Sequence, residues 1–272
     1  MQVASGVGDR VQLILCHFGG FRFSVEPALS SFLRYFPQAH VTLYTDNKNF
    51  GYPDAIADIR EVCPPYDSGH PRYGWRSSDL YRAIGLLESK AEFAVYSDSD
   101  MVYCSEKVLT FPALARRFGL LVPANPRLLV KYDVLLGADS NKQLDGIGDY
   151  GFAWNSAPLF FHTASAGGRA LLERFQEIML STPLRSPTVL YKAALDTNFS
   201  PYTLPFQWCV CEEHLGVGDE IVLHVGHKRV QDYYLGKEPR WLKEIKRTAF
   251  MLKSMYFPGK KRRAATDFWI FP

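Results

Sequence analysis

Short apolar runs alternate with amphipathic stretches along most of the chain, and this alternation constrains the fold more than any single motif does. Val11 to His17 reads as a buried strand, and Glu26 to Tyr35 as a helix that ends before Pro37. Strands follow at His40 to Tyr44 and Ile56 to Val62, then a loop rich in Pro, Gly and Tyr from Pro64 to Gly74. From Ser77 to Ser89 the apolar positions Leu80, Ile84 and Leu87 recur at helical spacing, and Phe93 to Tyr96 is a short apolar strand. Leu120 to Pro123 and Trp154 to His162 read as further strands, and Gly168 to Leu180 as an amphipathic helix. Strands alternating with helices require a mostly parallel sheet covered on both faces, an α/β fold.

A chain of 272 residues fits one large domain, expected over 1–239, with 240–272 as an appended tail. With 47% hydrophobic residues there is enough apolar material for that core. The cysteines Cys16, Cys63, Cys104, Cys209 and Cys211 form no even framework, and Cys209-Val210-Cys211 lacks the second ligand pair of a zinc site. Met1 to Arg10 has no apolar signal core, and no stretch reaches the ~18 apolar residues of a membrane span. A reduced, cytoplasmic protein is the expectation.

The strand Phe93–Tyr96 runs straight into Ser97-Asp98-Ser99-Asp100, which places two acids at a strand's C-terminal end, where open α/β sheets bind ligands. Residues one apart on an extended chain point to the same side, so Asp98 and Asp100 can share one hard cation. A solvated acidic turn is the alternative. Gly19-Gly20 after the first strand forms neither Gly-x-Gly-x-x-Gly nor a Walker loop, so dehydrogenase and kinase chemistry lose support. Gly19-Gly20-Phe21-Arg22 is also a poor version of the loop a sugar-phosphate nucleotidyltransferase needs. That enzyme, and a non-catalytic nucleotide-sugar or glycan-binding module, are the competing classes.

Ser78-Asp79-Leu80-Tyr81-Arg82, a helix, then Phe93 to Asp100 resembles the donor-binding core of GT-A glycosyltransferases. Similar blocks occur in glycosyltransferase family 8, the Och1-type and α-1,4 transferases, and the glucosylating clostridial toxins. The resemblance implies a GT-A fold, a divalent cation (manganese or magnesium) and a nucleoside-diphosphate sugar, with UDP as the nucleotide. It gives Asp79 and Arg82 to the donor sugar, with Arg76 and Ser99 on the same donor side. Spaced three apart, Asp79 and Arg82 share a helical face and can grip adjacent hydroxyls.

Downstream, Ile221-Val222-Leu223-His224-Val225-Gly226-His227-Lys228 resembles the C-terminal His-x-x-Gly-x-x-Lys element of family 8. By that likeness His224 joins Asp98 and Asp100 as a metal ligand, and Lys228 meets the diphosphate. The spacing differs from the family, with Gly and Lys two and four residues after His224, so His227 stands as the alternative ligand. Trp154-Asn155-Ser156 resembles the strand that family 8 places against the acceptor. Leu195-Asp196-Thr197 resembles its Asp-Gln segment, with Thr197 in place of Gln. In that pattern Asp196 faces the reaction centre, to orient the acceptor, act as a general base, or stabilise oxocarbenium character; a helix or turn cap is the other role open to it. Near the N-terminus, His17 and Phe18 occupy the place of the nucleotide cradle, with Phe18 to stack on the base and Asp46 to hold a ribose hydroxyl.

From Trp241 to Arg263, Lys243, Lys246, Arg247, Lys253, Lys260, Lys261, Arg262 and Arg263 interleave with Phe250, Met255, Tyr256 and Phe257. A basic segment with aromatics can lie on an anionic membrane surface, which suits a lipid-linked glycan acceptor and a place on the inner membrane face. A C-terminal helix packed on the domain is the alternative. The net charge of +3 across the whole chain speaks against nucleic acid as a partner.

Overall fold

The computed structural model describes residues 10–20, 24–128, 152–205, 208–210 and 220–224. Its centre is β1 (Val11–His17), whose seven residues are all buried, the pattern of a strand covered on both faces. β1 pairs in parallel with β2 (His40–Thr45) and with β4 (Phe93–Tyr96), and β2 pairs in parallel with β3 (Asp58–Glu61). On the far side of β4, β8 (Leu159–His162) runs antiparallel to it and to β6 (Leu120–Leu128). β7 (Phe152–Trp154) is antiparallel to β6, and β9 (Tyr202–Leu204) is parallel to it. The eight-stranded sheet has the order β3-β2-β1-β4-β8-β6-β7, with β9 beside β6. Only β7 and β8 run against the other strands, so the sheet is mostly parallel, as the alternation predicts.

Helices flank both faces. Phe160 of β8 meets Phe111, the first residue of α3 (Phe111–Phe118), ring to ring at 4.9 Å. Its neighbour Phe161 lies against Gly168 in α4 (Ala166–Ser181). Consecutive residues on a strand point to opposite faces, so α3 and α4 cover opposite sides. α2 (Tyr73–Glu88) lies against β1 and β4 and next to α4, where Arg169 donates to the Leu87 carbonyl. Its buried positions Tyr73, Ser77, Leu80, Ala83 and Leu86 recur every three to four residues and form the face turned to the sheet. α1 (Glu26–Leu33) carries Phe32, which stacks on Phe36 at 4.8 Å and meets Tyr103 edge-on at 5.0 Å.

Two expectations change. Trp154 to His162 is two strands, β7 and β8, joined through a cis Ala157–Pro158 bond, and each pairs with a different stretch of β6. The helix expected to start at Ser77 begins at Tyr73, inside the Pro- and Gly-rich loop. A separate three-stranded sheet, with β11 (Val222–His224) between β10 (Cys209–Val210) and β5 (Met101–Tyr103), was not foreseen. The tail 240–272 lies outside the described residues.

Candidate metal and donor site

The two acids sit where the strand reading puts them. β4 ends at Tyr96, and Asp98 and Met101 close a turn, with the Met101 amide donating to the Asp98 carbonyl at 3.2 Å. Asp and Ser favour such turns because their short side chains bond the local backbone. β5 leaves this turn at once and pairs antiparallel with β11 in a register that sets Met101 opposite His224. A histidine more than a hundred residues downstream is thereby delivered beside Asp100. His224 Nε2 lies 3.0 Å from Asp100 Oδ1 and 3.8 Å from Asp98 Oδ2.

One donor atom from each of Asp98, Asp100 and His224 falls within 4.8 Å of the others. Two carboxylates and an imidazole, all half-buried, make a donor set that suits a divalent cation. The electrostatics agree. Burial alone would push the His224 imidazole down, but the Asp100 carboxylate and its hydrogen bond, with Asp98 behind it, outweigh that and raise it to about 9. The two acids therefore draw positive charge into this spot, and the imidazolium supplies it when no metal does.

Behind the acids stands a buried network centred on Arg82. Its Nη2 donates to Asp79 Oδ1 at 2.5 Å and lies 3.6 Å from Asp98 Oδ1, while Nη1 donates to the Ser156 carbonyl at 2.5 Å. The guanidinium also lies over the Tyr96 ring, 4.6 Å from its centroid. The Arg82 side chain is only 4% exposed, against 16% for Asp79 and 25% for Asp98, so the arginine is internal and the acids reach the surface. Burial pushes the Asp79 carboxyl up, against the pull of Arg82 and of a hydrogen bond with Ser186. Ser186 opens α5 (Ser186–Thr197) and bonds Ser156 between hydroxyls at 2.8 Å.

Along the same C-terminal edge, His17 ends β1 and Asp46 follows β2. His17 Nδ1 bonds the Tyr52 hydroxyl at 2.9 Å, and the Gly19 amide donates to Asp46 at 2.9 Å. Gly19 and Gly20 both take positive φ, 66° and 62°, which glycine allows without strain. Phe18 is enclosed, 0% exposed and 5.2 Å from the Tyr81 ring, so no face of it is open to a base. Arg76 is committed elsewhere. Its Nη2 donates to the carbonyls of Met179 and Thr182, and its guanidinium lies over Tyr66.

Ser99 lies half-buried between the two acids. Trp154 donates from Nε1 to Thr203, and the Asn155 amide donates to the Pro123 carbonyl, one residue before the Ser156 that receives Arg82. The structure does not bring Asp196 to this group. α5 starts beside Asp79 at Ser186, and Asp196 lies ten residues on, roughly 15 Å along the axis at ~1.5 Å per residue. There its carboxylate pairs with Arg174 and Lys192. His227 and Lys228 lie outside the described residues. Sequence reasoning gave Tyr96 and Ser156 only as positions within longer segments, with no role of their own, and missed Ser186, which no motif marks.

No family model matches the chain, and no curated protein does. Among solved structures, the chain is similar to a galactosyltransferase, LgtC, in complex with donor and acceptor sugar analogues. The two are 12% identical with a TM-score of 0.49, over 80% of this chain and 87% of that one.

Proposed function

We propose that this protein is a metal-dependent glycosyltransferase that moves a sugar from a nucleoside-diphosphate sugar, UDP by the sequence resemblance, to a hydroxyl of a glycan or lipid-linked glycan. The observation that carries it is the convergence of Asp98, Asp100 and His224 at the C-terminal end of β4. A solvated acidic turn has no reason to recruit a histidine from a second sheet.

In this reading the three side chains hold manganese or magnesium. When bound, that ion neutralises the negative charge growing on the departing diphosphate. Arg82 fixes Asp79 and Asp98 rather than meeting the sugar directly, because its side chain is enclosed and its Nη1 and Nη2 are engaged by the Ser156 carbonyl and Asp79. Asp79 is the one of the pair with surface to offer the donor. His17 and Asp46, at the ends of the neighbouring strands, flank the nucleotide side, with Ser99 between the acids and Lys228 for the diphosphate. Trp154 and Asn155 border the acceptor side. Asp196 acts as a structural carboxylate tying α5 to α4. The basic segment 241–263 provides peripheral contact with an anionic membrane. Among the described residues no helix is long and apolar enough to cross one.

The test is release of nucleoside diphosphate from a panel of nucleotide sugars, with manganese, with chelator, and with Asp100→Asn. One donor should be turned over in a manner that needs both the metal and Asp100. If no donor is turned over and calorimetry finds no metal-dependent donor binding, the assignment fails and a binding module takes its place.

A further inference from the structure

Tyr96 is the last residue of β4, 1% exposed, and its hydroxyl donates to Asp98 Oδ1 at 2.5 Å. The reaction proposed above makes no use of it. Its ring is held from behind by the Arg82 guanidinium at 4.6 Å, and the same guanidinium approaches the same Asp98 oxygen at 3.6 Å. One carboxylate oxygen of Asp98 thus accepts a hydrogen bond from a buried phenol and faces a buried guanidinium charge. The other, Oδ2, is the one turned to His224. A carboxylate next to a free strand end would rotate about its terminal torsion, which has a broad, weakly defined minimum. Here that rotation would break the hydrogen bond to Tyr96. A phenol ordinarily loses its proton only near pH ~10, so the hydroxyl serves as a donor near neutrality.

We infer that Tyr96 is a positioning residue for the metal site: by holding Asp98 Oδ1, with Arg82 behind its ring, it presents Oδ2 as a single, fixed ligand oxygen. This inference rests on the metal-binding reading of Asp98, Asp100 and His224. Groups that orient metal ligands from behind typically change affinity by about 10–100-fold when removed.

The experiment is manganese binding, followed by calorimetry and by the electron paramagnetic resonance of the bound ion. The proteins are the full-length wild type, Tyr96→Phe, Asp98→Asn and the double variant, each confirmed as folded by circular dichroism. Tyr44→Phe serves as a control that also removes a buried phenol hydroxyl, one bonded to Glu88 and Arg60 instead. Tyr96→Phe should weaken manganese binding by about tenfold or more and broaden the resonance of the bound ion. In the Asp98→Asn background it should add little, because its effect passes through Asp98. Tyr44→Phe should bind as the wild type does. Wild-type binding retained in Tyr96→Phe, or full additivity with Asp98→Asn, overturns the positioning role while leaving the metal site standing. Absence of manganese binding in the wild type overturns the metal site and the positioning role together.

Discussion

In the metal-binding reading proposed above, His224 has two uses, and they exclude each other. As an imidazolium it is held between Asp100 and Asp98, which raise its protonation to about 9; as a metal ligand it must be neutral. Without metal, the ion pair stabilises the fold fully below the unfolded value near 6.5, and this contribution is lost as pH rises through 9. Metal must displace that proton, so its apparent affinity should climb with pH between about 6.5 and 9, by up to roughly tenfold per unit. Manganese titrations by calorimetry in two buffers of different ionisation enthalpy should show about one proton released per ion at pH 7.5. Affinity that stays flat over this range would mean that His224 does not ligate the ion. The acids themselves were legible in the sequence only through their setting: an apolar strand followed by Asp-Ser-Asp can equally be a solvated acidic turn, and the Ser78 to Arg82 block ahead of it is what marks the pair out. The standing of Arg82 was legible only in half. Its spacing from Asp79 gives the shared helical face, but only packing reveals that the guanidinium is enclosed and serves Asp98 as well.

Among the elements, α2 is the one whose placement matters most, since it carries Asp79 and Arg82. It approaches β1 and β2 at Gly85, where an added Cβ would stand 2.6 Å from Ile14 Cγ2 and 2.9 Å from Tyr44 Cε2. Both neighbours are buried, and Tyr44 is pinned by its hydroxyl to Glu88 and Arg60. Gly85→Ala should therefore lose more to overpacking, about 1–3 kcal/mol, than the ~1 kcal/mol that alanine gains in helix propensity. A lower urea midpoint with an unchanged slope is expected. A stabilised variant would show that the helix can back away from the sheet without cost. The period of Leu80, Ile84 and Leu87 marks α2 as a helix, but nothing in it distinguishes Gly85 as the point of contact. Loop composition hid the helix's first turn, which Arg76 ties to the end of α4 through the Met179 and Thr182 carbonyls.

At the scale of the molecule, the small sheet of β5, β10 and β11 closes the candidate site, and it was not legible. Its strands are three, two and three residues long, too short for any period to emerge. They are specified by pairing across the chain. A consequence follows for stability. Asp98 and Asp100 stand at the end of the large sheet, whereas His224 belongs to the small one, so an ion held by all three bridges the two. The unfolded chain cannot assemble that donor set, and a ligand bound only by the folded state stabilises it by mass action. With manganese at a hundred times its dissociation constant the gain is about 2.7 kcal/mol, which for a chain of this size raises the melting temperature by roughly 5–11 °C. Thermal unfolding with manganese and with chelator measures the shift directly. Both Asp100→Asn and His224→Ala should abolish it, although one alters the turn after β4 and the other β11. A shift that survives loss of His224 but not of Asp100 would confine the ion to the acidic turn and leave the small sheet without a part in holding it.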